Sequence, residues 1–152
     1  TPVGGFITSD KIASSYKRPG ASTFGGNPVT SVSALATLDV INKYNLVDNA
    51  KTMGEYLKEK LKELQGKYAL IGDVRGRGLM LGAELVNQGK EPAVQETDAI
   101  LEYMKDKGVL IGKTGSNRNV LAFQPPLIID ENNIDELTDV LDGALKYVEE
   151  RK

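Results

Sequence analysis

The chain has 152 residues, 40% of them hydrophobic and 26% charged, with a formal net charge of −2. That is the make-up of a soluble globular protein with a real core, either one domain or a pair of small lobes. No basic block points to nucleic acid, no apolar run reaches the roughly 20 residues of a membrane span, and the absence of both Cys and His excludes disulfides, thiolate chemistry and Ser-His triads.

Any catalysis therefore rests on carboxylates, lysines, tyrosines or a borrowed cofactor. No metal-ligand spacing and no paired-carboxylate spacing stands out. The chain opens on Thr1-Pro2-Val3-Gly4-Gly5 with neither an initiator Met nor a signal peptide. This reads as a chain cut within a domain, from a cytoplasmic protein.

The first expected element is a strand over Val3 to Thr8, an apolar run after Pro. Asp10 to Tyr16 reads as a short helix capped by Ser9 or Asp10. Lys17 to Pro28, rich in Gly and Pro, is a loop. Asn27-Pro28 then opens a helix, with Asn at the cap and Pro at the first helical position. Val29, Val32, Leu35, Leu38 and Ile41 give that helix a broad face expected to be buried. A second helix starts near Leu46. Its stripe is Val47, Ala50, Met53, Leu57, Leu61 and Leu64, with Gly66 as its stop.

The period then changes. Arg75-Gly76-Arg77-Gly78 reads as a turn before an alternating strand over Leu79 to Val86. Thr97, Ile100, Leu101 and Met104 mark a helix ending at Gly108. Val109 to Ile111 and Asn119 to Gln124 are strands, the latter closed by Pro125-Pro126 because Pro cannot continue a ladder. A last helix starts after the cap Asp130, with Ile134, Leu137, Leu141, Leu145 and Val148 as its inner stripe. The order β-α-β-β-α after Gly66 predicts an α+β lobe.

Ser22-Thr23-Phe24-Gly25-Gly26-Asn27-Pro28 is the most informative stretch. Its glycines allow close backbone approach, Thr23 offers a hydroxyl, and the following helix N-terminus carries the positive end of a dipole. Local chemistry fits either an anion site or a plain turn entering a helix, and the plain turn is the commoner use. Arg75 and Arg77 fit anion binding or a solvated turn, with the turn preferred. Arg118 lies in the polar turn Gly115 to Asn119, where it either meets a substrate carboxylate or is an exposed loop arginine. Lys11 and Lys113 sit in no apolar stretch that would depress their pKa, and Asp73 and Glu84 read as turn or surface carboxylates.

Four segments resemble the class III aminotransferases, the group that includes ornithine, acetylornithine, 4-aminobutyrate and alanine–glyoxylate aminotransferases. They are Thr1 to Phe6, Ser22 to Pro28, Gly72 to Gly82 and Pro125 to Ile129, in the family's order and spacing along the full length. The resemblance implies a C-terminal part of a fold type I homodimer. Residues 1–66 would be the tail of the large cofactor domain with its connecting helices, and residues 67–152 the small α+β domain. It implies pyridoxal 5'-phosphate as cofactor, held as a Schiff base by a lysine just before the segment that begins here at Thr1. No catalytic residue is then expected within the chain, and the isolated 152 residues are expected to be inactive. Thr23, with Ser22 beside it, would hold the cofactor phosphate of the other subunit. The family arginine that often clamps a substrate α-carboxylate falls at Ala122, which offers no donor. Arg118 shares its strand face, but four residues of strand span about 13 Å, so it does not simply replace that arginine.

The expected function is amino transfer from an amine or amino acid to a 2-oxo acid, in a homodimer that engages neither nucleic acid nor membrane. The alternative is a non-catalytic dimeric module of the same descent that binds an anion or a partner.

Overall fold

The computed structural model describes residues 2–151; Thr1, the first residue of the opening motif, lies outside them. The chain forms two compact units, residues 1–45 and 46–152.

In the first unit, α1 spans Asp10–Ala13 and α2 spans Pro28–Lys43. Residues 2–9 form neither helix nor strand and are exposed. The strand expected over Val3 to Thr8 is therefore absent. A strand exists by pairing, and no partner strand lies beside this run among the described residues. α1 follows Ser9, whose side chain makes no capping bond. α2 begins as its sequence dictates, with the Asn27 side chain accepting from Thr30 N–H at 3.1 Å. Its apolar face, however, is not buried: Val32 is 64% and Leu35 61% exposed, and the helix has no buried residue. The expected burial of this face is therefore not seen: nothing among the described residues covers it.

The second unit carries the core. It comprises α3 (Leu46–Lys67), β1 (Ile71–Arg77), β2 (Met80–Leu85), α4 (Val94–Asp106), β3 (Gly112–Thr114), β4 (Val120–Phe123) and α5 (Glu131–Glu149). The strands form one antiparallel sheet in the order β1-β2-β4-β3. Leu81 pairs with Phe123 and Ala83 with Leu121, so these side chains share one face. That face is buried under Leu57 and Leu61 of α3, Ile100 and Met104 of α4, and Ile134, Leu141 and Leu145 of α5. Each such side chain contributes about 1.5–3 kcal/mol through burial. α3 packs on β1 and β2 in this core, and the compact unit begins at Leu46.

Three further expectations change. β1 replaces the turn read at Arg75 to Gly78, so the lobe runs β-β-α-β-β-α. Its glycines and charges hid it: one face of the strand is solvent-exposed, and the apolar signal is reduced to Ile71 and Val74. The strand expected at Val109 to Ile111 lies slightly later, at Gly112–Thr114, where it meets β4. Gly66 lies inside α3, which ends at Lys67.

Helices α3 and α5 are joined at their surfaces by two similar clusters. Asp135 accepts from Tyr56 Oη at 2.7 Å and faces Lys60 Nζ at 2.9 Å. About two turns further along both helices, Asp142 faces Lys67 Nζ at 2.5 Å while Tyr68 Oη donates to the Asp142 carbonyl at 3.2 Å. The lysine ammonium groups hold both carboxyls below the usual aspartate range, and both lysines are correspondingly pushed up.

Candidate anchoring loop and substrate groove

The loop before α2 is ordered by its own hydrogen bonds. Gly25 N–H donates to the Ser22 carbonyl at 3.2 Å, and Asn27 Nδ2 donates to the Phe24 carbonyl at 2.9 Å. Gly26 adopts φ 70°, which favours glycine. A β-carbon on Gly25 would sit 2.8 Å from Ser22 Oγ, so glycine keeps that hydroxyl clear. Ser22 and Thr23 are both exposed. Pro28 has no N–H and the cap takes that of Thr30, which leaves the Val29 N–H as the first-turn amide not used by the cap. The loop thus presents two hydroxyls and one amide at the positive end of a 16-residue helix. An oxyanion fits this donor set, and the phosphate of pyridoxal phosphate is such a group.

The second unit carries a groove of about 410 Å³ where β3, β4 and α5 meet, lined by Leu110, Gly112, Ala122, Gln124, Pro125 and Leu137 among others. Ala122 stands at its side in a row of small residues: Gly82 pairs with Ala122 on β4, and Ala122 with Gly112 on β3. The groove is mostly apolar, with the Gln124 amide as its polar side chain. Sequence reading had not found it. The signal was there, in small residues at alternate positions of paired strands, but the pairing had to be known before they lined up.

Arg118 is exposed and holds φ 55° in the turn between β3 and β4, where its N–H donates to the Gly115 carbonyl at 3.0 Å. It is not among the residues that line the groove. Two of the other cations singled out in the sequence are paired. Arg75 Nη1 lies 2.7 Å from both Asp73 and Glu84, and Lys113 pairs with Asp98. Asp73 and Glu84 are therefore the anchors of Arg75, and Arg75 is not a free anion receptor. Lys11 lies on α1 and is exposed. Among the described residues no cluster of acidic side chains could hold a metal ion, and no helix is long and apolar enough to cross a membrane.

Residues 1–145 match the family model described as aminotransferase class-III. Over 147 residues the chain is 47% identical to "Alanine--glyoxylate aminotransferase 2 homolog 2, mitochondrial" of Arabidopsis thaliana, covering 95% of this chain and 31% of that protein. It is 36% identical to a taurine–pyruvate aminotransferase of Bilophila wadsworthia, covering 99% of this chain and 36% of the relative. Among solved structures, a phospholyase from Arthrobacter in complex with phosphoethanolamine superposes with a TM-score of 0.87 at 31% identity, covering 91% of this chain and 34% of that one. The chain thus spans about a third of the length of the curated relatives it matches.

Proposed function

The chain belongs to the class III aminotransferases, a pyridoxal-phosphate-dependent family, and from that premise we propose that its residues serve a reaction moving an amino group from an amine or amino acid to a 2-oxo acid. Two of the relatives carry names of that reaction, with glyoxylate and pyruvate as the oxo acids. The observation that carries the reading is the ordered loop at Ser22 and Thr23, with its exposed hydroxyls at the mouth of α2.

In this reading Ser22 and Thr23 donate their hydroxyl protons to the cofactor phosphate, and the Val29 amide adds a third bond. The family resemblance makes that phosphate the one held by a second copy of the protein, so the loop would act across a homodimer. Gly25 and Gly26 keep the loop thin enough for that approach. Bound cofactor supplies an electron sink beside the reacting carbon. The groove beside Ala122 would receive the apolar part of a substrate and keep water from it. Alanine there gives no donor to a carboxylate. Substrates whose carboxylate is clamped elsewhere, or that carry none on the reacting carbon, are therefore favoured.

The 152 residues alone are expected to be inactive. Lys60, Lys67 and Lys105 each have an ammonium stabilised first by a carboxylate, at Asp135, Asp142 and Glu102, which opposes the neutral amine that a carbonyl-attacking lysine requires. Lys113 is spoken for by Asp98.

The deciding experiment measures pyridoxal phosphate affinity and amino transfer in the full-length protein, with and without Thr23→Val. Loss of one charge-assisted hydrogen bond should weaken the cofactor by about tenfold while leaving the rate at saturating cofactor nearly unchanged. Equal cofactor affinity in the two proteins would remove Thr23 from the anchor.

A further inference from the structure

Three cations of the second unit converge on one pocket without a carboxylate partner. Lys51 and Lys58 project from α3, and Arg77 ends β1. Together they line a cavity of about 320 Å³ whose wall is the backbone of Gly76 and Gly78. Six other cations of this unit, Lys60, Lys67, Arg75, Lys105, Lys113 and Lys146, lie within ion-pair reach of Asp or Glu, while Lys62 and Lys90, which are not among them, line no part of this pocket. Among the described residues Lys51, Lys58 and Arg77 form no such pair. Glu55 also borders the pocket but makes no ion pair with any of them, so the local balance is three positive charges against one negative.

The pocket is built to hold its charges in place. Lys58 Nζ donates to the Gly76 carbonyl at 3.2 Å, which pins the ammonium to the wall and leaves two of its three N–H groups for a ligand. Gly76 (φ 132°) and Gly78 (φ 53°) hold left-handed backbone that presents no side chain at this point. Like charges gathered in a concave site repel one another unless a counter-charge joins them, and the low-dielectric wall strengthens its attraction.

From this juxtaposition we propose that the pocket between α3 and the end of β1 binds a dianionic phosphate group, of free phosphate or of a small phosphate ester. A carboxylate would satisfy the Arg77 fork and leave the two lysines unused. A tetrahedral dianion has oxygens enough for all three. The residues that line the pocket all belong to residues 46–152, and Ser22 and Thr23 are not among them.

The test is a titration of the 152-residue chain with inorganic phosphate, at ionic strength held constant with sodium chloride, followed by amide NMR. Saturable shifts are expected at the amides of Lys51, Gly54, Gly76 and Gly78. Shifts at Ser22 to Asn27 would report the other site separately. The double variant Lys51→Gln/Arg77→Gln should weaken binding by about tenfold or more with an otherwise native spectrum, Arg77→Lys should weaken it less, and Glu55→Gln should tighten it. A methyl phosphate titration assigns the source: tighter binding than inorganic phosphate marks an organic ester, and weaker binding marks free phosphate. The proposal is overturned by chloride producing the same shifts, by no saturation at these amides, or by unchanged affinity in both the double variant and Glu55→Gln.

Discussion

Gly54 of α3 lies so close to Gly78 that a β-carbon on Gly54 would sit 2.2 Å from the Gly78 carbonyl carbon. The helix meets the β1–β2 turn at backbone distance, and no rotamer change can relieve the overlap. Gly54→Ala must push α3 away from the turn, at a cost in the range of about 1–3 kcal/mol or more for overpacking. Urea unfolding should show a clearly lowered midpoint. Gly66→Ala is the control: a β-carbon there meets nothing within 4 Å, and replacing helical glycine should stabilise by several tenths to about 1 kcal/mol. Equal midpoints for the two variants would refute the close approach.

The α3–α5 clusters give stability a defined pH dependence. Asp135 and Asp142 have folded pKa values below the ordinary 3.8, lowered chiefly by hydrogen bonds from Lys60 and Lys67. Their contribution is complete above about pH 4 and lost as pH falls through the depressed values. Lys60 and Lys67 lie above their ordinary 10.5, so their share is complete below that and lost as pH rises further. Thermal unfolding of Asp135→Asn/Asp142→Asn should match the wild type near pH 2 and fall below it at pH 7. A constant difference across that range would contradict the linkage.

Asn119 is 2% exposed, and its Nδ2 donates to the Leu85 carbonyl at 2.7 Å. Asn119→Leu removes that donor and should cost about 1–3 kcal/mol. Asn119→Asp turns a carboxylate oxygen toward the same carbonyl, which favours the protonated acid. Its folded pKa is then raised, so the variant should lose stability as pH rises from 4 to 7, a range in which the wild-type Asp135 and Asp142 contribution is already complete. Chemical denaturation at the two pH values distinguishes these outcomes.

Ala122 stands half-buried beside the groove. In the full-length protein, Ala122→Arg supplies the bidentate donor the position lacks. The KM for α-amino acid donors should fall by about tenfold, with little gain for amines that carry no carboxylate. Steady-state kinetics on one donor of each kind measures the difference, and a parallel change for both would mean the position does not contact the carboxylate.

The exposed face of α2 predicts self-association of the 152-residue chain. Sedimentation should find species larger than the monomer. Val32→Lys/Leu35→Lys, on residues that pack against no core, should return it to a monomer without unfolding the second unit.

Much of the second unit was legible because its elements obey one period each. The stripe Met53, Leu57, Leu61, Leu64 and the alternation Leu81, Ala83, Leu85 translate directly into buried positions. β1 was not legible, since Gly72, Gly76 and the charges at Asp73, Arg75 and Arg77 suit a turn as well as a half-exposed strand. Only pairing with β2 decides between them. At the candidate site, the Asn27 cap followed from local chemistry alone. The groove beside Ala122 did not, because it is assembled from β3, β4 and α5, which no local pattern connects. The clusters of Tyr56 with Asp135 and Tyr68 with Asp142 stayed hidden for the same reason, their members being far apart in sequence.

The sheet order leaves β1 and β3 as the two outer strands, and neither is a good template for another chain. β1 has irregular pairing between Ile71 and Asp73 and displays Asp73, Arg75 and Arg77, while β3 is three residues long. Charge, irregularity and shortness are the devices by which sheet proteins resist joining edge to edge. The same glycines and charges that made β1 hard to recognise as a strand thus guard the unit against fibrous aggregation.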